Sequence, residues 1–279
     1  MTKIRYRLLN VFAETTFGGN PLAVIEDGND MTDSEMQMVA RQFNLSETTF
    51  ILPSNKTAAK IRIFTPTYEM DFAGHPTLGS AHVIRDLFQV GDEFKIEMKA
   101  GFIPVSAQKD RWTLFANKPS YRPMLASRSE LASMLNLPEV AIADYPLWVN
   151  CGTEQPMIPL TNPDYVHACR PDLRLIFKHS KNLAGQAKAY VFSRTADGFE
   201  SRYFWMTDEN SISEDPGTGS ACANLGGWWL STEGDKPLNA KINQGTIINR
   251  QNVLSLNIND GIIQVGGRVI EIGHGELQW

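Results

Sequence analysis

The sequence predicts an α+β fold made of two similar lobes. Segments with the alternating pattern of a half-buried strand greatly outnumber segments with helical periodicity. A glycine- and serine-rich helix start also occurs twice, 140 positions apart, at residues 74–81 and 214–221. A single recurrence at about half the chain length indicates two related lobes rather than a short-period repeat. We therefore expect one long helix per lobe, wrapped by strands, rather than alternating strand–helix units.

Length and composition limit the classes of protein that the chain can represent. Its 279 residues suit two domains, and its net charge of −5 offers no basic surface for nucleic acid. The N-terminus alternates like a strand and lacks the apolar core of a signal peptide, and no run approaches a membrane span. Three cysteines stand far apart without metal or redox spacing: Cys151, Cys169 and Cys222. We expect a cytoplasmic protein with free thiols.

The first lobe is predicted to span residues 1–118. A strand precedes the turn cluster at residues 17–21, and a capping box at residues 32–35 opens an amphipathic helix. Glu47 lies in the turn that enters the next strand, and the long helix follows Gly74. The remaining strands are predicted at residues 60–65, 94–98, 102–107 and 112–116.

The second lobe is predicted to span residues 119–266, after a linker around residues 117–123. A second capping box, at residues 127–130, opens its first helix. The long helix follows residue 219 and carries Trp228 and Trp229, which we expect to pack in the core. Further elements are a short helix at residues 173–177 and strands at residues 147–151, 155–160, 187–193, 199–206, 240–246, 252–258, 262–265 and 268–272.

The two helix starts align with their prolines, glycines and serines in register. At an offset of 140 residues His75 falls on Asp215. The first N–H groups of a helix have no partner within it, and the helix dipole adds positive charge there. Such starts are suited to holding a carboxylate or phosphate, so we expect the pair to form a shared binding site.

Four motifs in order and spacing resemble the phenazine-biosynthesis PhzF-like family. They are FGGNP at residues 17–21, LSET at 45–48, FAGHPT at 72–77 and EDPGTGS at 214–220. The resemblance implies a diaminopimelate-epimerase-like fold, in which each of two pseudo-symmetric lobes wraps a barrel-like, mostly antiparallel sheet around a central helix. It also implies that the last strand, about residues 267–279, completes the first lobe. The active site is then expected in the cleft between the lobes.

The resemblance further implies a cofactor-independent isomerase without metal, usually a homodimer, that moves a proton on a small carboxylate-bearing ring. Glu47 matches the family's acid/base glutamate. The pocket residues carried over with it are Asn20, Gly74, His75, Asp215, Gly219 and Ser220.

These residue types suit proton transfer. A glutamate can give and accept a proton near neutral pH when burial raises its pKa. We expect Glu47 to shuttle the proton and His75 and Asp215 to orient and polarise the substrate. Each also has a structural interpretation: an exposed turn glutamate for Glu47, a polar turn residue for His75, and a helix N-cap for Asp215.

Two other functions stay open at this point. An amino-acid epimerase, racemase or dehydratase of the same fold would exchange an α-proton. Epimerases of this kind use one cysteine from each lobe, whereas residues 74–75 and 215–216 lack cysteine and Cys222 has no partner in the first loop. A non-catalytic binding protein would keep the cleft without turnover. His82, about two helical turns after His75, has no third ligand in view and is interpreted as structural.

Overall fold

The computed structural model describes residues 3–208 and 210–278. The chain forms two compact units, Met1–Phe115 with Gly266–Trp279, and Ala116–Val265. In the described part of the chain, no helix combines the length and the hydropathy needed to cross a bilayer.

The first unit is a barrel. Its strands are β1 Lys3–Val11, β2 Asn20–Ile25, β3 Thr48–Leu52, β4 Ala59–Phe64, β5 Glu69–Met70, β6 Glu93–Met98, β7 Gly101–Gln108, β8 Arg111–Phe115 and the part of β17 (Ile262–Gln278) from residue 266 onward. Eight of them pair in a closed ring in the order β1, β2, β3, β4, β6, β7, β8, β17 and back to β1. Only β2–β3 and β4–β6 are parallel within this ring. Strand β17 thus lies between β8 and β1 in this ring.

Helix α2 (Gly74–Phe88) forms the core of this barrel. Its residues are buried almost continuously from Gly74 to Ile84, and it contacts β1, β2, β3, β4 and β8. A helix that is buried all round belongs inside a sheet rather than on its face. The packing is close, because a Cβ added at Gly79 would lie 2.5 Å from Cδ2 of Leu22.

Helix α1 (Asp33–Phe43) lies on the outside of the barrel. Its predicted capping box is present, with the Thr32 side chain accepting from the Glu35 N–H and the Glu35 carboxylate accepting from the Thr32 N–H. Met36 and Ala40 face a cluster that includes Phe50. The chain then turns at Asn44, in the left-handed conformation, toward Glu47 and β3.

The second unit has the same plan. Its strands are β9 Ser120–Pro123, β10 Leu147–Asn150, β11 Glu154–Pro159, β12 Lys188–Arg194, β13 Gly198–Asp208, β14 Ser211–Asp215, β15 Leu238–Gln244 and β16 Asn252–Asn259. Its helices are α3 Arg128–Leu135, α4 Pro163–Ala168, α5 Leu173–His179 and α6 Gly219–Glu233. The strand order is β9, β10, β11, β12, β13, β15, β16, with β11–β12 and β13–β15 parallel and the rest antiparallel.

Helix α6 is the central helix of the second unit. It contacts β10, β11 and β16, and its residues are buried from Gly219 to Trp229 with the exception of Ser220. Trp228 and Trp229 are 6% and 8% exposed, which confirms that they pack in the core. Each indole N–H donates to a backbone carbonyl, of Tyr145 and Lys236 respectively.

Both units therefore repeat one topology. Each has two parallel strand pairs, a short antiparallel strand (β5 on β4, β14 on β13) and a central helix of 15 residues. The predicted α+β fold of two pseudo-symmetric lobes is confirmed. The predicted linker is wrong in its second half, because residues 120–123 pair with β10 as strand β9.

The expected alignment of the two helix starts is also wrong. Helix α2 begins at Gly74 and α6 at Gly219, an offset of 145 residues rather than 140. His75 therefore corresponds to Ser220, whereas Asp215 ends a strand. The reason is that Pro76 fits inside the first turn of a helix, where no N–H is needed. After Pro216 the chain instead passes through Gly217, where a Cβ would lie 2.2 Å from Oδ1 of Asn252.

Candidate active site

Glu47 is held at the N-terminal end of a buried strand. It immediately precedes β3, which pairs parallel with β2 through Thr48 and Ala23. Thr49, the second residue of β3, is fully buried, and its hydroxyl oxygen lies 2.8 Å from the hydroxyl oxygen of Ser80 on α2. The strand and the central helix thus fix the backbone from which Glu47 projects.

His75 is the group that Glu47 faces. Its Nε2 lies 3.4 Å from Oε2 of Glu47, and the two side chains are 7% and 16% exposed. His75 is the second residue of α2, so its ring lies at the positive end of the helix dipole. A carboxylate and an imidazole in such a position form a pair that can hold and pass a proton.

Burial changes the acidity of Glu47. It raises the pKa of the carboxyl group from 4.5 to about 7, and a hydrogen bond with Ser46 opposes the shift only in part. Within the described chain, Oε2 of Glu47 is buried and accepts no hydrogen bond. Near neutral pH the carboxyl group is therefore present in both protonation states, which suits a group that must take up and return a proton.

Tyr68 lies near this pair and was not predicted. It sits in the turn between β4 and β5, where its N–H donates to the Thr65 hydroxyl at 3.0 Å. Burial and the charge of Glu47 raise the pKa of its phenol, although 53% of the residue stays exposed. A single tyrosine in a polar turn gives no signal in the sequence.

Asn20 and Gly74 complete the predicted residues of the first unit. Asn20 begins β2 and is 1% exposed. The preceding Gly19 has φ +80°, and a Cβ there would lie 2.6 Å from the Val11 carbonyl oxygen, so this turn requires glycine. Gly74 is the first residue of α2 and is buried.

Asp215 is fixed in a tight turn of the second unit. The Thr218 hydroxyl donates to its Oδ2 at 2.5 Å, and the Gly217 N–H donates to its Oδ1 at 3.4 Å. Gln244 donates to the Asp215 carbonyl at 2.8 Å and to the Thr218 hydroxyl at 2.9 Å. The residue that caps α6 is Thr218, so the interpretation of Asp215 as a helix N-cap is wrong.

A buried ion pair anchors the strand that carries Asp215. Arg202 donates to both carboxylate oxygens of Glu214, at 3.0 and 2.7 Å, and their side chains are 5% and 10% exposed. The same guanidinium donates to three carbonyls of the chain around α4, those of Val166, His167 and Cys169. The two charges lie 12 residues apart on paired strands. Glu214 opens the EDPGTGS motif, whereas Arg202 belongs to no motif.

Gly219 and Ser220 are the first two residues of α6. The hydroxyl oxygen of Ser220 accepts from Nε2 of Gln155 at 3.0 Å. The structure thus brings Glu47 and His75 into contact in the first unit, and joins Asp215 to the start of α6 through Thr218 in the second.

The remaining candidate groups do not form a reactive centre. All three cysteines are buried, and burial raises the pKa of Cys151 and of Cys169 to about 12. His82 accepts from the Trp112 indole at 3.4 Å, and burial is the main cause that lowers its pKa. The described chain contains no group of three or more His, Cys, Asp and Glu side chains placed to bind a metal ion.

Comparison with known proteins now places the chain in a family. The family model described as "Phenazine biosynthesis-like protein" matches residues 9–273, nearly the whole chain. The chain belongs to this PhzC-PhzF family. The PhzF resemblance carried by the four motifs is thereby confirmed.

Relatives within the PhzC-PhzF family carry isomerase names. A Pasteurella multocida protein named an uncharacterized isomerase is 38% identical over 281 residues, covering 99% of this chain and 95% of that protein. The trans-2,3-dihydro-3-hydroxyanthranilate isomerase of Pseudomonas fluorescens is 30% identical over 223 residues, 79% of this chain and 77% of that enzyme. This PhzC-PhzF protein is an isomerase.

The fold is shared with a solved structure. The crystal structure of a Bacillus anthracis PhzF-family protein superposes with a TM-score of 0.89 over 100% of both chains, at 23% identity. At this level of identity the likeness shows the fold, which is diaminopimelate-epimerase-like.

Proposed function

We propose that this PhzC-PhzF protein moves a proton between two positions of a small, cyclic, carboxylate-bearing substrate, with Glu47 as the general acid and base. The observation that carries the proposal is the Glu47–His75 contact at 3.4 Å, together with the rise of the Glu47 pKa to about 7. A base of this pKa can remove a proton and still be acidic enough to return it at neutral pH.

The proton balance needs no other reactant. The Glu47 carboxylate takes a proton from a carbon of the substrate, and the electron pair left behind spreads over the conjugated system. The resulting carboxylic acid returns the proton to another carbon of the same system, so the double bonds move and the carboxylate is regenerated. No group is oxidised or reduced, and the substrate and product are isomers.

The other predicted residues are proposed to bind and polarise the substrate. His75 can donate a hydrogen bond to an oxygen or nitrogen on which negative charge develops. Asp215, rigidly held by Thr218 and Gln244, presents a carboxylate suited to a substrate amine. The first N–H groups of the two central helices, with Asn20, Gly74, Gly219 and Ser220, are proposed to hold the carboxylate.

The substrate class rests on the relative from Pseudomonas fluorescens, whose name gives its substrate as a dihydro-hydroxyanthranilate. That compound is a conjugated ring with a carboxylate, the features that the proposed mechanism needs. A single cleft shared by the two lobes, a homodimer and a cytoplasmic location stay predictions. Nucleic acid is not a proposed partner, because the chain carries a net charge of −5.

The epimerase alternative is disfavoured by the thiols. A two-thiol epimerase needs cysteines that ionise readily at the helix starts. Cys222 is instead completely buried within α6, and burial raises its pKa far above the ordinary range. A thiol in this setting is a core residue rather than a base.

The proposal is tested by proton exchange in heavy water. Wild type and Glu47→Gln are incubated with trans-2,3-dihydro-3-hydroxyanthranilate and with a panel of cyclic and α-amino acids, and deuterium in the products is read by mass spectrometry. We expect uptake and isomerisation by wild type and a loss of about 100-fold or more in the variant. Glu93→Gln, the same change at an exposed position of the same unit, is the control and is expected to behave as wild type.

Three outcomes would contradict the proposal. Deuterium uptake that survives Glu47→Gln would assign the proton transfer to another group. Uptake confined to the α-carbon of amino acids would favour the epimerase. Tight binding of an acid without any exchange would instead indicate a non-catalytic binding protein.

A further inference from the structure

A directed chain of hydrogen bonds runs through the interior of the second unit and ends at Ser220. It begins at the backbone N–H of Cys151, which donates to Oδ1 of Asn224 at 2.8 Å. A backbone N–H can only donate, so this contact fixes which end of the Asn224 amide is oxygen. The amide nitrogen of Asn224 accordingly donates to the Thr153 carbonyl at 2.8 Å, an atom that can only accept.

The second hydrogen bond that Asn224 donates fixes the orientation of the Gln155 side-chain amide. Its Nδ2 donates to Oε1 of Gln155 at 2.7 Å, which leaves Nε2 of Gln155 on the opposite side. That nitrogen lies 3.0 Å from the Ser220 hydroxyl oxygen and 3.4 Å from the Tyr203 hydroxyl oxygen. Gln155 and Asn224 are 1% and 0% exposed, so bulk solvent does not compete for these hydrogen bonds.

The direction of the chain determines what Ser220 can do. An amide N–H cannot accept, so Ser220 must accept from Gln155, and its own proton points elsewhere. Among the described residues, that proton has no acceptor, and Ser220 is only part-buried whereas its helix neighbours are buried. Ser220 also lies in the first turn of α6, where the backbone N–H groups have no acceptor within the helix.

We propose that Gln155 and Asn224 are positioning residues that hold Ser220 as a hydrogen-bond donor toward the substrate. The group that Ser220 serves is then an acceptor, of which the substrate carboxylate is the class that also suits the helix start. An ammonium group could use only the remaining lone pair of the Ser220 oxygen and would leave the Ser220 proton without an acceptor. This inference rests on the proposed function, which makes Ser220 a substrate-binding residue. It adds a positioning role for Gln155 and Asn224, which act through Ser220 rather than on the substrate.

The test is a double-mutant cycle read by ligand binding rather than by turnover. The probe is 3-hydroxyanthranilate, a stable aromatic acid, and its Kd is measured by calorimetry for wild type, Ser220→Ala, Gln155→Met and the double variant. We expect Ser220→Ala to weaken binding by about tenfold or more, since a hydrogen bond to a charged group is lost. Gln155→Met is expected to weaken binding severalfold alone and to add nothing on the Ser220→Ala background.

If Gln155 had only a structural role, Gln155→Met would weaken binding by the same factor in wild type and in Ser220→Ala. Such additive losses of affinity would overturn the proposal. Ser201→Ala is the matched control, because it removes a buried hydroxyl of the same unit that donates to the Asn243 carbonyl instead. It is expected to leave Kd unchanged.

A second variant distinguishes loss of the hydrogen bond from loss of folding in Gln155→Met. Gln155→Glu keeps the shape of the side chain and restores a donor only while its carboxyl group is protonated. Affinity for the probe is expected to fall as that group ionises with rising pH, and this pH effect is expected to vanish in the Ser220→Ala background. A pH effect that persists without the Ser220 hydroxyl would contradict the inference.

Failure of this inference and failure of the proposed function are distinguishable. Wild type that binds none of the acids overturns the assignment of Ser220 to a carboxylate, whatever the exchange experiment finds. Loss of exchange chemistry at Glu47 with an intact Ser220–Gln155 coupling leaves the positioning role in place and removes only the proton transfer.

Discussion

Glu47→Gln is expected to change the stability of the protein in a pH-dependent way. Burial raises the pKa of the Glu47 carboxyl group to about 7 in the folded chain, against 4.5 in an ordinary environment. A raised pKa means that the folded protein holds the proton more tightly than the unfolded chain does. The contribution of protonated Glu47 to the free energy of unfolding is therefore complete below pH 4.5 and is lost as the pH rises through about 7. Glutamine has no proton to lose, so the variant escapes this loss.

The size of the effect follows from the two pKa values. One pKa unit corresponds to about 1.4 kcal/mol, so a shift from 4.5 to about 7 sets a limit of about 3.4 kcal/mol at high pH. Most of the change falls between pH 5 and pH 8, where the linkage relation gives about 2.5 kcal/mol. The Glu47 side chain is only 16% exposed, so solvent screens little of it.

The measurement is urea unfolding, followed by circular dichroism, of wild type and variant at pH 5 and pH 8. The free energy of unfolding of Glu47→Gln minus that of wild type is expected to be about 2.5 kcal/mol more positive at pH 8 than at pH 5, because only wild type loses stability over this range. Taking this difference removes the contributions of all other titrating groups. Glu93→Gln is again the control, because an exposed side chain is expected to give the same relative stability at both pH values.

Two results would refute the reasoning. A relative stability that changes by less than about 0.5 kcal/mol between the two pH values would mean that burial does not perturb Glu47. A change of the opposite sign would mean that the folded state favours the carboxylate, as it would if a protonated His75 dominated the contact. Either result would remove the physical basis for Glu47 as a group that gives and takes a proton near pH 7.

Two further predictions concern the second unit and the thiols. Arg202→Leu leaves the Glu214 carboxylate buried without its partner and is expected to cost about 3–5 kcal/mol in urea unfolding. Arg128→Ala, in an exposed pair with Asp144, is expected to cost less than about 1 kcal/mol, and equal costs would contradict the burial argument. The thiols of Cys151, Cys169 and Cys222 are expected to resist Ellman's reagent in the native protein and to react fully after unfolding. Rapid reaction of any of them in the native protein would contradict its burial.

The sequence was informative where a local rule dominates. Both capping boxes form as predicted, because Thr32 with Glu35 and Ser127 with Glu130 satisfy orphan N–H groups within four residues. The doubled helix start predicted two lobes, each with a central helix, although the two helices are offset by 145 residues rather than by the 140 of the sequence match.

The sequence was uninformative where partners are distant or chemically ordinary. Gln155 and Asn224 lie 69 residues apart, and neither belongs to a motif. Prolines at residues 119 and 123 indicate a break in the chain and so predict a linker, although both stand at or just outside the ends of the four-residue strand β9. The offset of the two helices was misjudged because proline alignment says nothing about whether the residue lies within the first turn or before it.

The way in which the helices begin separates the two central ones from the rest. Helices α1, α3, α4 and α5 each start with a side chain that accepts from their first N–H groups, namely Thr32, Ser127, Asn162 and Asp172. Helices α2 and α6 start after Ala73 and Thr218 without such a side-chain bond. Both helices are buried, and the N–H groups of a first turn need acceptors from outside the helix. The capping residues Ala73 and Thr218 thus give these two helix starts no side-chain acceptor, which is compatible with the proposed binding of a substrate carboxylate there.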